Sequence, residues 1–387
     1  MDAERPLRIL MTADTVGGVW QYALSLCRVL TAQGDRVELA TMGATPTPTQ
    51  WREAAAIPGL RLHASGYRLL WMADPWADVA AAGRWLQALA AQVRPDVVHL
   101  NDYAHGAMAW PAPVLMTAHS CVGSWWQAVR GEALPPEWDH YRATVAAGLA
   151  AADHVVAPTQ AMLSALRAQY PLDTPCSVIA NGAVPLSRPV PASAKRPLVL
   201  AAGRLWDEAK NLRTLAAVAP RLPWALRIAG EAAHPDGGSA AIAPALLLGQ
   251  LPPSRLRRWM ARASVYALPA RYEPFGLSAL EAAQAGCALV LGDIPSLREV
   301  WGDAALYVAP DDARALTAQL QRLIGDPLLR QRMARRAVAQ ARRYTATAMA
   351  AAYRQRYRAL IAHRGTPRVT GRAGPPVPMF SSIGVGA

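Results

Sequence analysis

Two carboxylates frame the stretch RYEPFGLSALEAAQAG at residues 271–286, with Glu273 before and Glu281 after a Phe275–Gly276 pair. A strand-like run, SVYALPA, ends just before Arg271, and a helix is expected to begin near Phe275–Gly276. The first N–H groups of a helix have no partner in their own ladder and carry partial positive charge, which suits an anion. Gly276 has no side chain to keep a phosphate from the backbone, and Leu277 and Ser278 add further N–H groups. Two carboxylates beside an anion would repel it unless they serve its uncharged neighbours. An ionised carboxylate only accepts hydrogen bonds, so sugar and ribose hydroxyls are natural partners. The stretch therefore suits a nucleoside diphosphate sugar. The backbone would hold phosphate, Glu281 the ribose and Glu273 the transferred sugar.

The elements that position this stretch read as alternating strands and helices. LRILMTA (7–13) is a strand, DTVGGVW a glycine loop, QYALSLCRVLTAQG a helix and DRVELATMG a second strand. PTPTQ (46–50) reads as a loop and DPWADVAAAGRWLQALAAQV as a helix. PDVVHLND, APVLMTAHS and ADHVVAPTQ read as buried strands with polar residues at their C-terminal ends. Apolar strands alternating with helices indicate a parallel sheet covered on both faces. The proline-dense stretch around residues 184–197 reads as a linker, after which the alternation restarts with LVLAAGR. Two α/β domains are expected, with the site in the cleft between the C-terminal ends of their strands. The boundaries are 1–185, a linker at 186–197, 198–345, a helix at 346–363 and a Gly/Pro/Ser-rich tail at 364–387 expected to be disordered.

Composition narrows the class without choosing a function. The 387 residues are 52% hydrophobic and 17% charged, which is globular. No apolar run is long enough to span a bilayer, and the start, MDAERPLRIL, lacks the apolar core of a leader. Cys27, Cys121, Cys176 and Cys287 are scattered, without metal-finger spacing, which fits free thiols in a reducing cytoplasm. The net charge is +13, almost all of it arginine; Lys195 and Lys210 are the only lysines. Such charge fits either compositional bias or an anionic partner. Arg330, Arg332, Arg335, Arg336, Arg342 and Arg343 crowd a C-terminal helical segment and raise the prospect of peripheral membrane contact. The aromatic–basic interleaving of a nucleic-acid module is missing, so no nucleic-acid partner is expected.

The run ALPARYEPFGLSALEAAQAGCALVLGD resembles the E-x7-E donor motif of retaining glycosyltransferases with the GT-B fold, most closely glycosyltransferase family 4. The resemblance covers roughly residues 7–360 and includes TVGGVW, MTAHS around His119, AAGRLWDEAKNL and IAGE. It implies two Rossmann-like domains facing each other across a cleft. It also implies a nucleoside diphosphate sugar as co-substrate, no bound cofactor, and an acceptor that is a glycan, a lipid-linked sugar or a small molecule. By position, Arg204 and Lys210 match the cations that hold the donor diphosphate, and Gly17 and Gly18 match the first-domain glycine loop. His119 matches a histidine beside the transferred sugar. The implied catalytic set is His119, Arg204, Lys210 and Glu273. The implied donor set is Gly17, Gly18, Arg204, Lys210, Glu273, Phe275, Gly276, Leu277 and Glu281. The last helix would pack back on the first domain.

Other clusters are less specific. His99, Asn101, Asp102 and His105 follow a strand in HLNDYAH, where acceptor contact or turn chemistry fits better than metal. No D-x-D motif occurs, and Asp311–Asp312 reads as a helix cap, so metal-independent chemistry is expected. GSWWQAVRGEALPPEW follows His119 closely. Its Trp125, Trp126 and Trp138 fit core packing or an acceptor-binding loop, with Trp125, Trp126 and Asp102 as the acceptor candidates. Two rival readings remain. A GT-B epimerase would need acidic proton-transfer residues in the first domain, where Asp14 and Asp102 are the candidates. A non-catalytic sugar-nucleotide binding protein would leave its donor unhydrolysed.

Overall fold

In the computed structural model the described residues are 5–185, 190–191, 194–234, 237, 242–243 and 246–364, the side chain of Arg364 excepted. The expected tail, 364–387, lies outside them but for Arg364, and so does half of the expected linker at 186–197. Arg364 ends the last helix, and the second domain's first strand already begins at Arg196.

The first sheet is built from β1 (Arg8–Asp14), β2 (Arg36–Met42), β3 (Leu60–Ala64), β4 (Val97–Leu100), β5 (Val114–Thr117), β6 (His154–Ala157) and β7 (Cys176–Val178). Their spatial order is β3-β2-β1-β4-β5-β6-β7. The second sheet uses β8 (Arg196–Ala202), β9 (Ala225–Ala229), β10 (Leu247–Gly249), β11 (Ala263–Leu268), β12 (Ala288–Gly292) and β13 (Leu306–Val308), in the order β10-β9-β8-β11-β12-β13. Every strand pairing among the described residues is parallel. β4, β5, β6, β11 and β12 are buried along their whole length, as strands covered by helices on both faces must be. The strand order reverses between β1 and β4 in one sheet and between β8 and β11 in the other. Such switch points open a crevice at the C-terminal strand ends.

Two segments depart from the expected elements. PTPTQ leads into a helix, Pro48–Ala55. Thr47 caps it by accepting from the Gln50 N–H, and the Gln50 side chain accepts from the Thr47 N–H. Pro48 in the first turn costs nothing, because that turn's N–H groups have no ladder partner. The tryptophan-rich segment after His119 is likewise no loop. Helix Val122–Arg130 carries Trp125 and Trp126, with Cys121 as its cap.

The helix Ala346–Arg364 crosses back to the first domain. Met349, Ala350, Tyr353, Tyr357 and Leu360 join the core formed by β1 and the helix Gly18–Ala32. Its tyrosines also enter a buried polar network. The Tyr357 hydroxyl meets His99 Nδ1 at 2.6 Å, and His99 Nε2 meets Thr117 Oγ1 at 2.7 Å. Burial pushes the His99 pKa down to about 3, so the ring is neutral.

Candidate active site

The two crevices face each other and merge into one cleft of about 870 Å³. Gly17 lies after β1 and caps the helix that Gly18 opens, His119 follows β5, Arg204 and Lys210 follow β8, and Glu273 follows β11. All of these residues line the cleft, together with Phe275, Gly276, Leu277, Glu281 and Trp125. The residues expected to bind the donor are thus brought together from segments far apart in the chain.

The second-domain wall carries the charge. Arg204 donates from Nη2 to Asp207 at 2.6 Å, and its guanidinium lies 4.9 Å from the Trp206 ring centre. Burial would disfavour both charges, yet the contact holds the Asp207 carboxyl below its usual range and the Arg204 guanidinium above its own. Lys210 Nζ meets Glu273 Oε2 at 2.7 Å. The opposite wall reaches this cluster closely. Gly17 has φ +100°, and a side chain there would run into the Arg204 guanidinium. A glycine is therefore required twice over, by conformation and by space.

Gly276 caps the helix Leu277–Gln284 with φ +91°, in the left-handed region. Its own N–H is taken: it donates to Glu273 Oε1 at 3.0 Å. This corrects the expectation that the Gly276 amide faces a phosphate. The N–H groups of Leu277, Ser278 and Ala279 are the ones left without a carbonyl in their own helix, whose first bond runs from Leu280 to the Gly276 carbonyl. Phe275 contributes no ring to the cleft surface. It is 2% exposed and packs edge-on against Tyr344, with ring centres 5.4 Å apart. Burial raises the pKa of Glu281 above the ordinary carboxylate value.

The first-domain wall contributes Glu53 and Arg68 to the cleft lining, and around His119 it is neutral. His119 Nε2 lies 2.8 Å from Asn101 Oδ1, and the Tyr22 ring packs edge-on at 4.4 Å. Burial pushes the His119 pKa down to about 3. Asp14, at the end of β1, is pushed up to about 7 by burial, against the pull of Arg204. Its Oδ1 has no hydrogen-bond partner among the described residues.

Two acceptor candidates are not brought to the cleft. Asp102 accepts from Thr12 Oγ1 at 2.8 Å and pairs with His105 Nδ1 at 2.6 Å. His105 Nε2 reaches the Val79 carbonyl at 3.2 Å, so both ring nitrogens face acceptors. Although burial opposes the charge, Asp102 raises the His105 pKa above its ordinary value. This is turn chemistry, not a free carboxylate. Trp126 packs on the first-domain core. Trp125 does reach across, donating from Nε1 to Asp207 at 3.0 Å. No group of three or more His, Cys, Asp or Glu side chains able to hold a metal ion occurs among the described residues.

Several residues of the cleft escaped the sequence reading. Asp207 sits between the two expected cations and holds one of them, and its place in LWDEA was a usable signal. Tyr22 and Asn181 also line the cleft, and Asn101 supports it from behind His119. No local motif marks Tyr22 or Asn181, whereas Asn101 stands in the HLNDYAH run considered for acceptor contact, though nothing in that run points to His119; long-range packing brings the three together.

The glycosyltransferase family 4 model matches residues 16–185, and the glycosyl transferases group 1 model matches residues 196–326. The chain belongs to the GT-B glycosyltransferases. The two models divide it as the two sheets do. The chain is 30% identical over 269 residues to a glycogen synthase of Mycobacterium tuberculosis, covering 63% of this chain and 64% of that one. It therefore spans less than two thirds of that relative's length. It is 36% identical over 98 residues to O-antigen chain mannosyltransferase B of Escherichia coli, 25% of this chain and 26% of the other. Among solved structures, sucrose-phosphate synthase from Thermosynechococcus elongatus shares the fold with a TM-score of 0.75 at 21% identity, covering 93% of this chain and 100% of that one. HepE of Anabaena, solved with UDP and glucose, shares the GT-B fold with a TM-score of 0.68 at 15% identity, covering 92% of this chain and 100% of the other.

Proposed function

We propose that the protein transfers a glycosyl group from a nucleoside diphosphate sugar to an acceptor, with retention of anomeric configuration, in glycan or glycolipid synthesis. The observation that carries this reading is the cluster of Arg204 and Lys210 beside the first turn of helix Leu277–Gln284 in the interdomain cleft. Two cations and a helix N-terminus in one place suit a diphosphate. Lys210 pairs with Glu273, so a diphosphate would exchange one anionic partner for another. That releases Glu273 towards a sugar hydroxyl.

In the transfer, the bond from the anomeric carbon to the diphosphate oxygen breaks, and the acceptor oxygen bonds to the same carbon on the same face. The acceptor proton passes to the leaving diphosphate oxygen. Charge builds on that diphosphate as the bond breaks, so Arg204 and Lys210 act most strongly in the transition state. No pair of carboxylates is needed as acid and base, which fits the engagement of Asp102 by Thr12 and His105. The neutral hydrogen-bonding groups around His119 suit an acceptor sugar. Peripheral membrane contact belongs to the same proposal and rests on less. Leu328 is 76% exposed on the helix that also exposes Arg332, Arg335 and Arg336. Arg330 is engaged instead with the carbonyl of Leu323.

A thermal-shift series with UDP-, GDP- and ADP-sugars tests the donor site, since ligand binding raises the melting temperature by mass action. One nucleotide class should raise it, and Arg204→Ala should abolish the shift. No shift with any of the three would overturn the reading.

A further inference from the structure

The strongest unassigned feature lies behind His119. Asn101 Nδ2 donates to the backbone carbonyl of Thr12 at 2.6 Å. A carbonyl can only accept, so the amide nitrogen must face it and Oδ1 must face His119. The 2.8 Å contact from His119 Nε2 to Asn101 Oδ1 then requires the proton on Nε2. A flipped amide would set Oδ1 against the Thr12 carbonyl, two acceptors face to face, and the Asn101 backbone is itself tied to β1 by its N–H donating to Thr12 Oγ1 at 2.8 Å. Thr12 Oγ1 in turn donates to Asp102 Oδ2. The backbone of β1 thus dictates which ring nitrogen of His119 carries hydrogen. The other nitrogen, Nδ1, meets no hydrogen-bond partner among the described residues, and the ring lines the cleft.

We propose that Asn101 is a positioning residue that locks His119 in the Nε2–H tautomer and presents its bare Nδ1 lone pair to a ligand hydroxyl in the cleft. An asparagine does this where an aspartate could not. A carboxylate against Nε2–H would favour the imidazolium, which would put a proton on Nδ1 and turn the acceptor into a donor. The groups around the ring agree. Tyr22 packs on it edge-on, and its hydroxyl stands 3.5 Å from His99 Nε2. His99 is itself held neutral by burial, so it brings no charge to this side of the ring. The Asp102 charge, one residue from Asn101, is matched by His105. Burial keeps His119 neutral down to about pH 3.

This inference rests on the nucleotide-sugar reading only for the identity of the hydroxyl. The tautomer itself is measurable without ligand. Nitrogen NMR of the full chain labelled with ¹⁵N-histidine, with His119 assigned through His119→Gln, should show a protonated Nε2 and an unprotonated Nδ1, unchanged from pH 8 to pH 5. A protonated Nδ1 or an imidazolium in that range would overturn the proposal. In Asn101→Ala the same signals should average between tautomers, and an unchanged pair would equally overturn it. Asn101→Asp should hold His119 as imidazolium at pH 6 and lower kcat by about tenfold there, the worth of roughly one lost hydrogen bond, with recovery as pH rises to 9. KM for the donor should change less. A pH–rate profile that matches wild type would overturn the positioning role. If Asn101→Asp does not fold, the Asn101→Ala spectrum decides. If the tautomer is as stated but no nucleotide sugar binds, the nucleotide-sugar reading fails and the lock on His119 stands.

Discussion

The two walls of the cleft are built on different principles. The second-domain wall works by charge. Arg204 and Asp207, then Lys210 and Glu273, form paired contacts of 2.6 and 2.7 Å within one domain. The first-domain wall works by neutral hydrogen bonds. Thr12, Asn101 and His119 hold one another with no net charge among them, and Asp102 behind them is matched by His105. One wall is suited to grip an anion. The other is suited to orient hydroxyls without attracting ions. Charges and dipoles already placed around the reacting atoms are what catalysis by electrostatics requires.

The same contrast governs how a cleft ligand should respond to damage. Lys210→Ala removes a charge-assisted contact whose value grows in the transition state. It should lower kcat by about a few hundred-fold, while donor Kd changes by much less. Equal losses in kcat and affinity would place Lys210 on the ground state instead. Glu281→Ala should do the reverse if it holds only the ribose. Donor affinity should fall roughly tenfold with kcat nearly unchanged, because that contact is the same in both states. A large fall in kcat would move Glu281 next to the reacting atoms.

The walls also touch. Trp125→Phe deletes the hydrogen bond to Asp207 but keeps the ring. It should cost about 1–2 kcal/mol in a denaturant titration, since the acceptor is charged. A neutral result would show that water replaces the indole N–H without loss.

Acid should strain the first wall selectively. His99 and His119 are held neutral with pKa values of about 3, while the unfolded chain protonates near 6.5. Between those values the unfolded state binds more protons, so stability must rise with pH across that window and fall as pH drops through it. Asp14 runs the other way. Its folded pKa of about 7 lies above the unfolded 3.8, so its contribution shrinks as pH rises between them. Melting temperatures from pH 7 to pH 4 should therefore decline, and His99→Asn should flatten that slope. The smallest expected effect is that of EDTA. Arg204, Lys210 and the helix N-terminus supply positive charge, so activity should persist in chelator, and loss with rescue by Mg²⁺ or Mn²⁺ would contradict this.

The contrast also explains what could be read from the sequence. The charged wall was legible because charge is rare in buried α/β interiors. Lys210 is one of two lysines, and the Glu273–Gly276–Glu281 run sits where a strand meets a helix. The alternation of strands and helices, the two domains and the GT-B fold were legible from apolar periodicity and the E-x7-E resemblance. The neutral wall was legible only at His119, through the resemblance, and the bonds that hold it were not. Asn101 and Thr12 are 89 residues apart, and Tyr357 meets His99 from 258 residues away. No local pattern encodes such pairs. The helix at Pro48–Ala55 was missed for a different reason: two prolines outweighed a Thr-x-x-Gln capping box that lies in plain view. Gly276 was placed correctly, but its N–H was assigned outward when Glu273, three residues before, lies close enough to take it.

The central claim is that the charged wall holds a diphosphate leaving group while the neutral wall orients the sugars. The measurement that tests it most directly is the anomeric configuration of the product, followed by proton NMR while the protein turns over the donor identified by thermal shift. The account predicts a new glycoside with the donor's configuration and release of one nucleoside diphosphate per bond formed. An inverted product, or a donor that binds and is never consumed with any sugar acceptor, would contradict it.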